Sequence, residues 1–233
     1  MCGIVGSINS KFDIKSALNK IKHRGPDAEG IFENEYIQFG HVRLSILDLS
    51  TGGNQPFVNQ STGSALIFNG EIYNYKALKR ELESDYTFQT TSDTEVLFCG
   101  LQRYGISYLS KLQGMFAFAY FDGLNKVTYL VRDRLGIKPL YYREVDNGFI
   151  FGSEIKSIQE DFFNEQQINK NRLADFIYHR RLDHTVETFF NGINQIPAGS
   201  FLLYNHKDFK TDFIEYYKLP FIGGGDKDYN KSE

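Results

Sequence analysis

The chain has 233 residues, of which 41% are hydrophobic and 15% are phenylalanine or tyrosine, so it can bury one large core or two small ones. This composition excludes an intrinsically disordered chain. The 26 lysine and arginine residues nearly balance the 29 aspartate and glutamate residues, leaving a net charge of −3, and such a chain lacks the basic field that nucleic-acid binding requires.

Cysteine usage and hydropathy indicate a protein of the reducing cytoplasm. Cys2 and Cys99 are the two cysteines, too few for a disulfide scaffold, and no Cys/His spacing suggests a zinc site. No basic and apolar export signal opens the chain, and the longest purely apolar run, residues 115–121, is far shorter than the roughly 18 residues of a membrane span. We therefore expect a cytoplasmic protein with a free thiol, no bound metal and no membrane partner.

Short strands and short helices alternate in the first half of the chain. Alternating apolar residues predict strands over residues 2–8, 29–39, 40–47 and 64–68. Apolar residues at helical spacing predict two short amphipathic helices, with the sets Ile14, Leu18, Ile21 and Tyr75, Leu78, Leu82.

A longer helix is indicated near residue 92. Ser92 and Glu95 fit a capping box, which marks a helix N-terminus. Cys99 lies inside this helix and is expected to be a small packed hydrophobe. The buried stripe of the helix is predicted to consist of Val96, Leu97, Leu101 and Tyr104.

The most informative strand is predicted over residues 115–121. Its two faces, Phe116, Phe118 and Tyr120 on one side and mainly alanines on the other, are both apolar, so the strand must be covered on both sides. Asp122 then turns the chain into a hairpin. Further elements follow in order: strands over 126–131, 141–145 and 149–151, helices near 154–159 and 169–178, and strands near 200–204 and 212–217.

These patterns together define the expected fold. Hairpins imply antiparallel sheets, and strands that are apolar on both faces need a layer above and a layer below. Two mainly antiparallel sheets packed face to face, with helices outside each, satisfy both requirements. We therefore expect an α+β fold that forms a four-layer α/β/β/α sandwich.

Cys2 is the first candidate for chemistry. A small residue after the initiator methionine permits removal of Met1, and the mature chain would then begin with a cysteine that carries its own α-amine. An α-amine has a pKa near 7.7–8.0 and is partly neutral at physiological pH, so it can act as a general base for the adjacent thiol. A cysteine at position 2 by chance is the alternative.

Three further positions have both a structural and a functional interpretation. Asn69 and Gly70 form either a two-residue hairpin turn or an oxyanion hole, although the following residues predict a helix rather than a partner strand. Arg43 is either a solvated edge residue or a bidentate ligand for a substrate carboxylate. Asp93 either complements a helix dipole or receives an ammonium group. The five histidines form no motif and are expected to be structural or exposed.

Eight ordered blocks closely resemble one family, the class II glutamine amidotransferase domain of glutamine-hydrolysing asparagine synthetases. The resemblance runs over residues 2–217, and a chance match of so many blocks in order is very improbable. The blocks are MCGIVG (1–6), HRGPD (23–27), RLSI (43–46), NGEIYN (69–74), SDTE (92–95), GMFAF (114–118), RDRLGIKPLYY (132–142) and SEIK (153–156).

The resemblance implies an N-terminal-nucleophile hydrolase fold and a role for each site residue. Cys2 would be the nucleophile with its α-amine as the base, and Asn69 and Gly70 would form the oxyanion hole. Arg43 would pair with the α-carboxylate of glutamine. The other implied contacts are the pocket-lining strand residues Leu44, Ser45, Ile46 and Leu47 and the ammonium-binding acids Glu71 and Asp93. Residues 24–27 would form a loop near the pocket, and residues 132–142 would be mainly structural.

One departure from the family bears on partners and cofactors. Full-length asparagine synthetases continue into an ATP-binding domain with a Ser-Gly-Gly-x-Asp-Ser loop, which this chain lacks. We therefore expect an amidotransferase domain over residues 1–217, a flexible tail over 218–233 that is a linker to a missing synthetase domain, and no cofactor in this chain. ATP and magnesium belong to the missing domain, which would accept the ammonia.

Other interpretations stay open at the level of sequence. The glutaminase domain of a sugar or purine amidotransferase is the nearest enzymatic alternative, and a non-catalytic module that retains the fold is another. A Cys–His mechanism using His41 is a third. A homodimer is possible, and nucleic acid is not an expected partner.

Overall fold

Strands dominate the structure, as the alternating apolar segments predict. The computed structural model describes residues 1–159 and 168–219. Its helices are α1 (Ile14–Ile21), α2 (Tyr75–Leu82), α3 (Asp93–Tyr104), α4 (Ile155–Ile158) and α5 (Lys170–His179). Its strands are β1 (Gly3–Ile8), β2 (Ala28–Glu33), β3 (Ile37–Arg43), β4 (Phe57–Asn59), β5 (Ser64–Ile72), β6 (Gly114–Asp122), β7 (Val127–Arg132), β8 (Tyr141–Val145), β9 (Gly148–Gly152), β10 (Ile193–Gln195), β11 (Ser200–Asn205) and β12 (Lys210–Glu215).

These strands form two six-stranded sheets within the described residues. The first sheet has the order β10-β8-β9-β1-β3-β2, and the second sheet has the order β12-β11-β7-β6-β5-β4. Neighbouring named strands pair in the antiparallel sense throughout. The hairpins predicted from the turn residues are therefore present, since β6 is followed by β7 and β8 by β9.

Three apolar cores separate four layers. The central core lies between the two sheets and includes Ile4, Phe39 and Phe151 from the first sheet and Ile67 and Ala119 from the second. Helices α1 and α4 cover the outer face of the first sheet, and α2 and α3 cover that of the second. The predicted α/β/β/α sandwich is confirmed.

Strand β6 explains why the second sheet needs cover on both faces. Phe116, Phe118 and Tyr120 pack in the core under α2 and α3, whereas Ala117 and Ala119 face the first sheet. The small alanines on the central side leave room for the large side chains of the opposing sheet, because a well-packed core alternates large and small residues.

Three predicted boundaries are wrong. The break between the second and third strands falls at residues 34–36 rather than after 39, because the Asn34 side chain accepts hydrogen bonds from the N–H groups of Tyr36 and Ile37 and forms a turn. Strand β3 then ends at Arg43, so residues 44–47 form a loop. Strand β5 continues through Asn69 and Gly70 to Ile72, so those two residues do not form a hairpin turn.

Some smaller expectations also change. Tyr104, placed in the buried stripe of α3, is exposed, whereas Val96, Leu97 and Leu101 are buried as predicted. The short strands β4 and β10 were not anticipated. The Gly-rich segment 223–228 and most of the predicted tail lie outside the described residues. Among the described helices, none has the length and apolar character needed to cross a membrane.

Candidate active site

Strand alternation brings Cys2 and Arg43 to one face of the first sheet. Ile4 and Ile8 of β1 point into the central core, so Cys2, two residues before Ile4, points the same way. Gly3 pairs with Val42, which places Cys2 beside the end of β3 and next to Arg43. Both side chains therefore project into the gap between the sheets at one end of the sandwich.

Asn69 meets them from the second sheet. Ala65 and Ile67 of β5 face the same central core, and Asn69 follows Ile67 by two residues on the same face. The predicted nucleophile and the predicted oxyanion residue thus come from opposite sheets, and the four-layer fold is what brings them together.

A cavity of ≈ 70 Å³ occupies this end of the sandwich. Ser45 does not line it; its backbone N–H donates to Asp27 Oδ2 at 2.7 Å. The other nine predicted site residues do line the cavity: Cys2, Arg43, Leu44, Ile46, Leu47, Asn69, Gly70, Glu71 and Asp93.

The thiol of Cys2 contacts the backbone of the loop that follows β3. The Leu44 N–H lies 3.4 Å from Cys2 Sγ, and Sγ lies 3.5 Å from Leu44 O. Burial raises the pKa of the Cys2 thiol, against the lowering effects of the Leu44 hydrogen bond, the N-terminal charge and Arg43. A partly buried thiol with a raised pKa needs a neighbouring base to become a nucleophile.

The loop predicted near the pocket holds the backbone of Cys2. Arg24 donates from Nε to Cys2 O at 2.9 Å and from a guanidinium nitrogen to Glu154 Oε1 at 3.0 Å. His23 and Lys156 contact the same Glu154 carboxylate at 2.9 and 3.1 Å. This network fixes the direction in which the Cys2 side chain leaves the sheet.

Asn69 has a buried amide with nothing to bind. Its side chain is only 1% exposed, yet neither Nδ2 nor Oδ1 has a hydrogen-bond partner among the described residues. An unpaired buried polar group costs about 1–3 kcal/mol. An amide left in this state beside a cavity is suited to donate to a bound molecule.

The N–H of Gly70 is turned away from the neighbouring strand. Gly70 pairs with Phe116 of β6, but the Phe116 N–H donates to Asp133 Oδ2 at 3.1 Å and Phe116 O accepts from the Asp133 N–H at 2.8 Å. Gly70 and Phe116 are therefore a non-hydrogen-bonded pair, and the polar groups of Gly70 point to the opposite edge of β5. A Cβ at residue 70 would collide with Met115 O, so only glycine fits.

Side chains cap the same edge of β5 on either side of Gly70. Gln55 Oε1 accepts from the Phe68 N–H at 2.6 Å, and Asp93 Oδ2 accepts from the Ile72 N–H at 2.9 Å. The side-chain and loop hydrogen bonds of the described residues include none to the Gly70 N–H. The strand edge therefore presents one N–H group, between two capped ones, beside the Asn69 amide.

Asp93 is a buried carboxyl group with a raised pKa. It is the first residue of α3, whose N-cap is Ser92. The Ser92 side chain accepts from the Glu95 N–H, which is one of the two bonds of the predicted capping box. The Glu95 carboxylate accepts from the N–H groups of Gln89 and Thr90 instead of from Ser92. Burial raises the pKa of Asp93 to about 6 against lowering hydrogen bonds that include the Ile72 N–H, and the charge of nearby Glu71 raises it further. A cationic ligand would favour the charged form of this carboxyl group.

Arg43 is buried and surrounded by neutral oxygens. Its side chain donates to Ser50 O and Asn54 Oδ1, both at 2.7 Å, and to Asp48 O. At 6% exposure it is not a solvated edge residue. Because it has no ion pair with a carboxylate of the described residues, its charge is available to an anionic ligand at the cavity.

Asp48 is a site residue that sequence reasoning missed. It lines the cavity and accepts from the N–H groups of Ser50 at 2.8 Å and Thr91 at 2.9 Å, among other bonds. Hydrogen bonds from Ser50 and Thr91 hold its pKa well below the usual range. The Asp-x-Ser spacing signals a local turn, but no sequence signal connects residues 48 and 91.

Lys138 is a second unanticipated lining residue. Its block was interpreted as mainly structural, and Arg132 and Asp133 do bind the loop around it, with Arg132 Nε donating to Lys138 O at 3.0 Å and Asp133 Oδ2 accepting from the Lys138 N–H at 2.9 Å. Lys138 nevertheless lines the cavity. Within the described residues, no group of three or more His, Cys, Asp or Glu side chains is placed to hold a metal ion.

His41 does not pair with Cys2. It is fully buried, its Nε2 lies 3.2 Å from Phe68 O, and its Nδ1 has no partner among the described residues. Burial lowers the pKa of His41 to about 3. This geometry gives no support to a Cys–His mechanism.

A two-sheet sandwich with a partly buried thiol at one end, beside an amide that has no partner among the described residues, has the architecture of the N-terminal-nucleophile hydrolases. Residues 1–217 match the family described as the glutamine amidotransferase domain. The chain belongs to this family, in its class II, whose domains use no cofactor and act on glutamine.

Two curated relatives illustrate the family. Glutamine-hydrolysing asparagine synthetase 1 of Bacillus subtilis is 43% identical over 187 residues, which cover 76% of this chain and 29% of that protein. Amidase chry2 of Gibberella zeae is 38% identical over 193 residues, which cover 82% of this chain and 28% of that protein. The chain thus spans less than a third of the length of these two relatives.

The fold is shared with a solved structure. Glutamine phosphoribosylpyrophosphate amidotransferase of B. subtilis superposes with a TM-score of 0.67 over 94% of this chain and 50% of that chain, at 21% sequence identity. At this level of identity the likeness concerns the fold, and the predicted N-terminal-nucleophile hydrolase type is confirmed.

Proposed function

We propose that residues 1–217 form a glutamine amidohydrolase domain that hydrolyses glutamine to glutamate and ammonia through a γ-glutamyl thioester on Cys2. The observation that carries the proposal is the buried amide of Asn69, which has no described partner and lines the same cavity as the Cys2 thiol. An oxyanion hole needs donors that stay unpaired until charge develops on the substrate.

Activation of the thiol requires removal of Met1. Met1 lines the cavity, and its Sδ accepts from Arg24 at 3.4 Å. Cleavage after Met1 leaves the α-amine of Cys2 as a base within one residue of the thiol. Since burial raises the pKa of Cys2, the thiol holds its proton until the amine takes it during attack.

The reaction then proceeds in two balanced steps. The Cys2 sulfur forms a bond to the side-chain amide carbon of glutamine while its proton moves to the α-amine, and the oxyanion is stabilised by Asn69 Nδ2–H and the Gly70 N–H. The carbon–nitrogen bond breaks as the α-ammonium protonates the leaving ammonia. Water then attacks the thioester carbon while its proton moves to the α-amine. The carbon–sulfur bond breaks, the sulfur regains a proton from the α-ammonium, and glutamate is released.

Charge complementarity supports glutamine as the substrate. The guanidinium of Arg43, which donates to neutral oxygens, would bind the α-carboxylate. Asp93 and Glu71 would bind the α-ammonium. The apolar side chains of Ile46 and Leu47 at the cavity wall would contact the methylene groups of the substrate.

We further propose that the ammonia is destined for an ATP-dependent synthetase domain of the asparagine-synthetase type, with ATP and magnesium bound there. The 43% identity to a glutamine-hydrolysing asparagine synthetase supports this acceptor. Another relative, 38% identical, is named an amidase, so a different acceptor for the ammonia is the alternative. A coding sequence that continues past Glu233 into a Ser-Gly-Gly-x-Asp-Ser segment would support the synthetase. Because the thiol must stay reduced, we propose a cytoplasmic location.

The first experiment is glutamine hydrolysis by the Cys2→Ala variant. We expect ammonia release to fall to the uncatalysed background, because the nucleophile is removed while the cavity is enlarged by only one sulfur atom. Intact mass spectrometry of active wild-type protein should give a mass lower by one methionine residue.

The control is Cys99→Ala, which removes the other free thiol. Cys99 is buried in α3, where burial raises its pKa to about 12, and this variant should hydrolyse glutamine at the wild-type rate. Undiminished ammonia release by Cys2→Ala, or active protein that retains Met1, would refute the proposal.

A further inference from the structure

The edge of β5 that carries Asn69 and Gly70 has no neighbouring strand in the described structure. Strand β4 pairs with β5 only as far as Leu66, opposite Phe57. Beyond that point the outward N–H and C=O groups of β5 would be free to move or to bind water, as at any uncovered sheet edge. Side chains from other elements take the place of the missing strand.

Two buried side chains hold Phe68 on this edge from different directions. His41 of β3, in the opposite sheet, lies with Nε2 3.2 Å from Phe68 O. Gln55, in the loop before β4, accepts from the Phe68 N–H through Oε1 at 2.6 Å and donates through Nε2 to Thr94 Oγ1 at 3.4 Å. Both side chains are buried, His41 completely.

The bond made by His41 acts on the peptide group that joins Phe68 to Asn69. On the other edge of β5, Asn69 pairs with Ala117 of β6. The Phe68–Asn69 segment is therefore held on one side by the strand ladder and on the other by His41 and Gln55. A movement of this segment would carry the Asn69 amide and the Gly70 N–H with it.

We propose that His41 and Gln55 are positioning residues that hold the Asn69–Gly70 edge of β5 where an oxyanion develops. The inference rests on the proposed function. Both residues bond to the Phe68 backbone. Gln55 also lines the cavity, whereas His41 does not line it and ties the two sheets together beside it. Neither residue exchanges a proton with the substrate.

The protonation state of His41 agrees with this role. Because its environment is fully buried, its pKa falls to about 3, and the ring is neutral at the pH of the reaction. Phe68 O can only accept a hydrogen bond, so the proton of the neutral ring is on Nε2. The amide side chain of glutamine can replace a neutral N–H donor, but it cannot replace a general base.

The test measures glutamine hydrolysis by the His41→Phe and His41→Gln variants and compares each with the wild-type protein. His41→Phe keeps a ring and removes the donor, and we expect kcat to fall about 10- to 100-fold with KM for glutamine changed less than about threefold, as for a misplaced catalytic group. Affinity for glutamate γ-semialdehyde, whose thiohemiacetal with Cys2 places an oxygen in the oxyanion hole, should fall by the same factor as kcat. His41→Gln should restore most of both values.

His206 supplies a matched control. It is another buried histidine, bonded through Nε2 to Thr128 Oγ1 at 2.8 Å, and it packs against Phe121 at the far end of β6. His206→Phe should lower the unfolding temperature to a similar extent and leave kcat and aldehyde affinity unchanged. If His41→Phe does not fold, Gln55→Met is judged by the same two measurements.

Each outcome decides a different point. Wild-type kcat and aldehyde affinity in folded His41→Phe or Gln55→Met would overturn the positioning role. Equal losses in His41→Gln and His41→Phe, together with loss of the acidic limb of the pH–rate profile, would make His41 a base and also overturn it. Wild-type protein without glutaminase activity would instead refute the proposed function.

Discussion

Asp93 combines deep burial with a carboxyl group that titrates close to physiological pH. Only 5% of its surface is exposed, and burial is the main cause of its raised pKa of about 6. The Ile72 N–H is its described backbone partner from β5, and Glu71 adds a second negative charge nearby. A group in this state binds a cation best when it is ionised, so substrate affinity should depend on its titration.

We expect KM for glutamine to rise as the pH falls below about 6, reaching about tenfold at pH 5, because one unit below its pKa the group is about 90% protonated. In Asp93→Asn, KM at pH 7.5 should be high and nearly independent of pH, since the amide oxygen can still accept from the Ile72 N–H but carries no charge. Steady-state kinetics between pH 5 and 8 measure both effects. A KM that rises equally in the variant as the pH falls would contradict the assignment.

The limits of sequence reasoning are visible at single residues. Cys2, Asn69 and Arg43 carry motif signals, and the structure brings them to one cavity. Asp48 carries none, because its partner Thr91 lies 43 residues away in the chain. The unpaired state of the Asn69 amide is likewise a property of its neighbours in space, which residue type and spacing do not encode.

Elements whose shape depends on local contacts were predicted well. The N-cap of α3 requires only Ser92 and Glu95, three residues apart. The two-faced burial of β6 follows from its own residues, since both sets are apolar. The extent of β5 was underestimated because pairing with β6, more than 40 residues later, extends it through Asn69 and Gly70.

The loop after β3 is the element through which Asp48 acts. Asp48 ties this loop to the segment before α3 by its bonds to Ser50 and Thr91, and the same loop supplies Ser50 O and Asp48 O to Arg43. Replacing the acceptor oxygens should therefore loosen both the loop and the guanidinium.

Asp48→Ala should lower the free energy of unfolding by about 2 kcal/mol, because the hydrogen bonds that its two carboxylate oxygens accept from Ser50 and Thr91 are lost, and it should raise KM for glutamine severalfold. Asp122→Ala is the control. Its carboxylate also accepts from two backbone N–H groups, those of Leu124 and Asn125, in a turn at the other end of β6. Urea unfolding should show a loss of stability in both variants, and kinetics should show a raised KM only in Asp48→Ala. An unchanged KM in Asp48→Ala would show that Asp48 does not support the binding site.

At the scale of the whole molecule, two buried histidines link stability to pH. Burial lowers the pKa of His41 to about 3 and that of His206 to about 4, whereas an unfolded histidine has a pKa near 6.5. Between about pH 6 and 4 the unfolded chain therefore binds a proton at each histidine that the folded chain does not. Asp93, with its raised pKa, binds a proton in the folded chain over the same window and offsets one of them.

The free energy of unfolding should accordingly fall by about 1.4 kcal/mol per pH unit as the pH drops from 6 to 5, the effect of one net proton. Below pH 5 it should fall more steeply, because the pKa values of Asp48 and Glu154 are lowered in the folded chain and these groups bind protons first in the unfolded chain. His206→Phe removes one of the two histidines and should make the dependence between pH 6 and 5 nearly flat. Thr128→Val, which removes the hydroxyl partner of His206 but keeps the ring, should lower stability at every pH and leave the slope as in the wild type. Urea titrations at pH 6, 5 and 4 measure the slopes, and a His206→Phe protein with the wild-type slope would show that this histidine is protonated in the folded state.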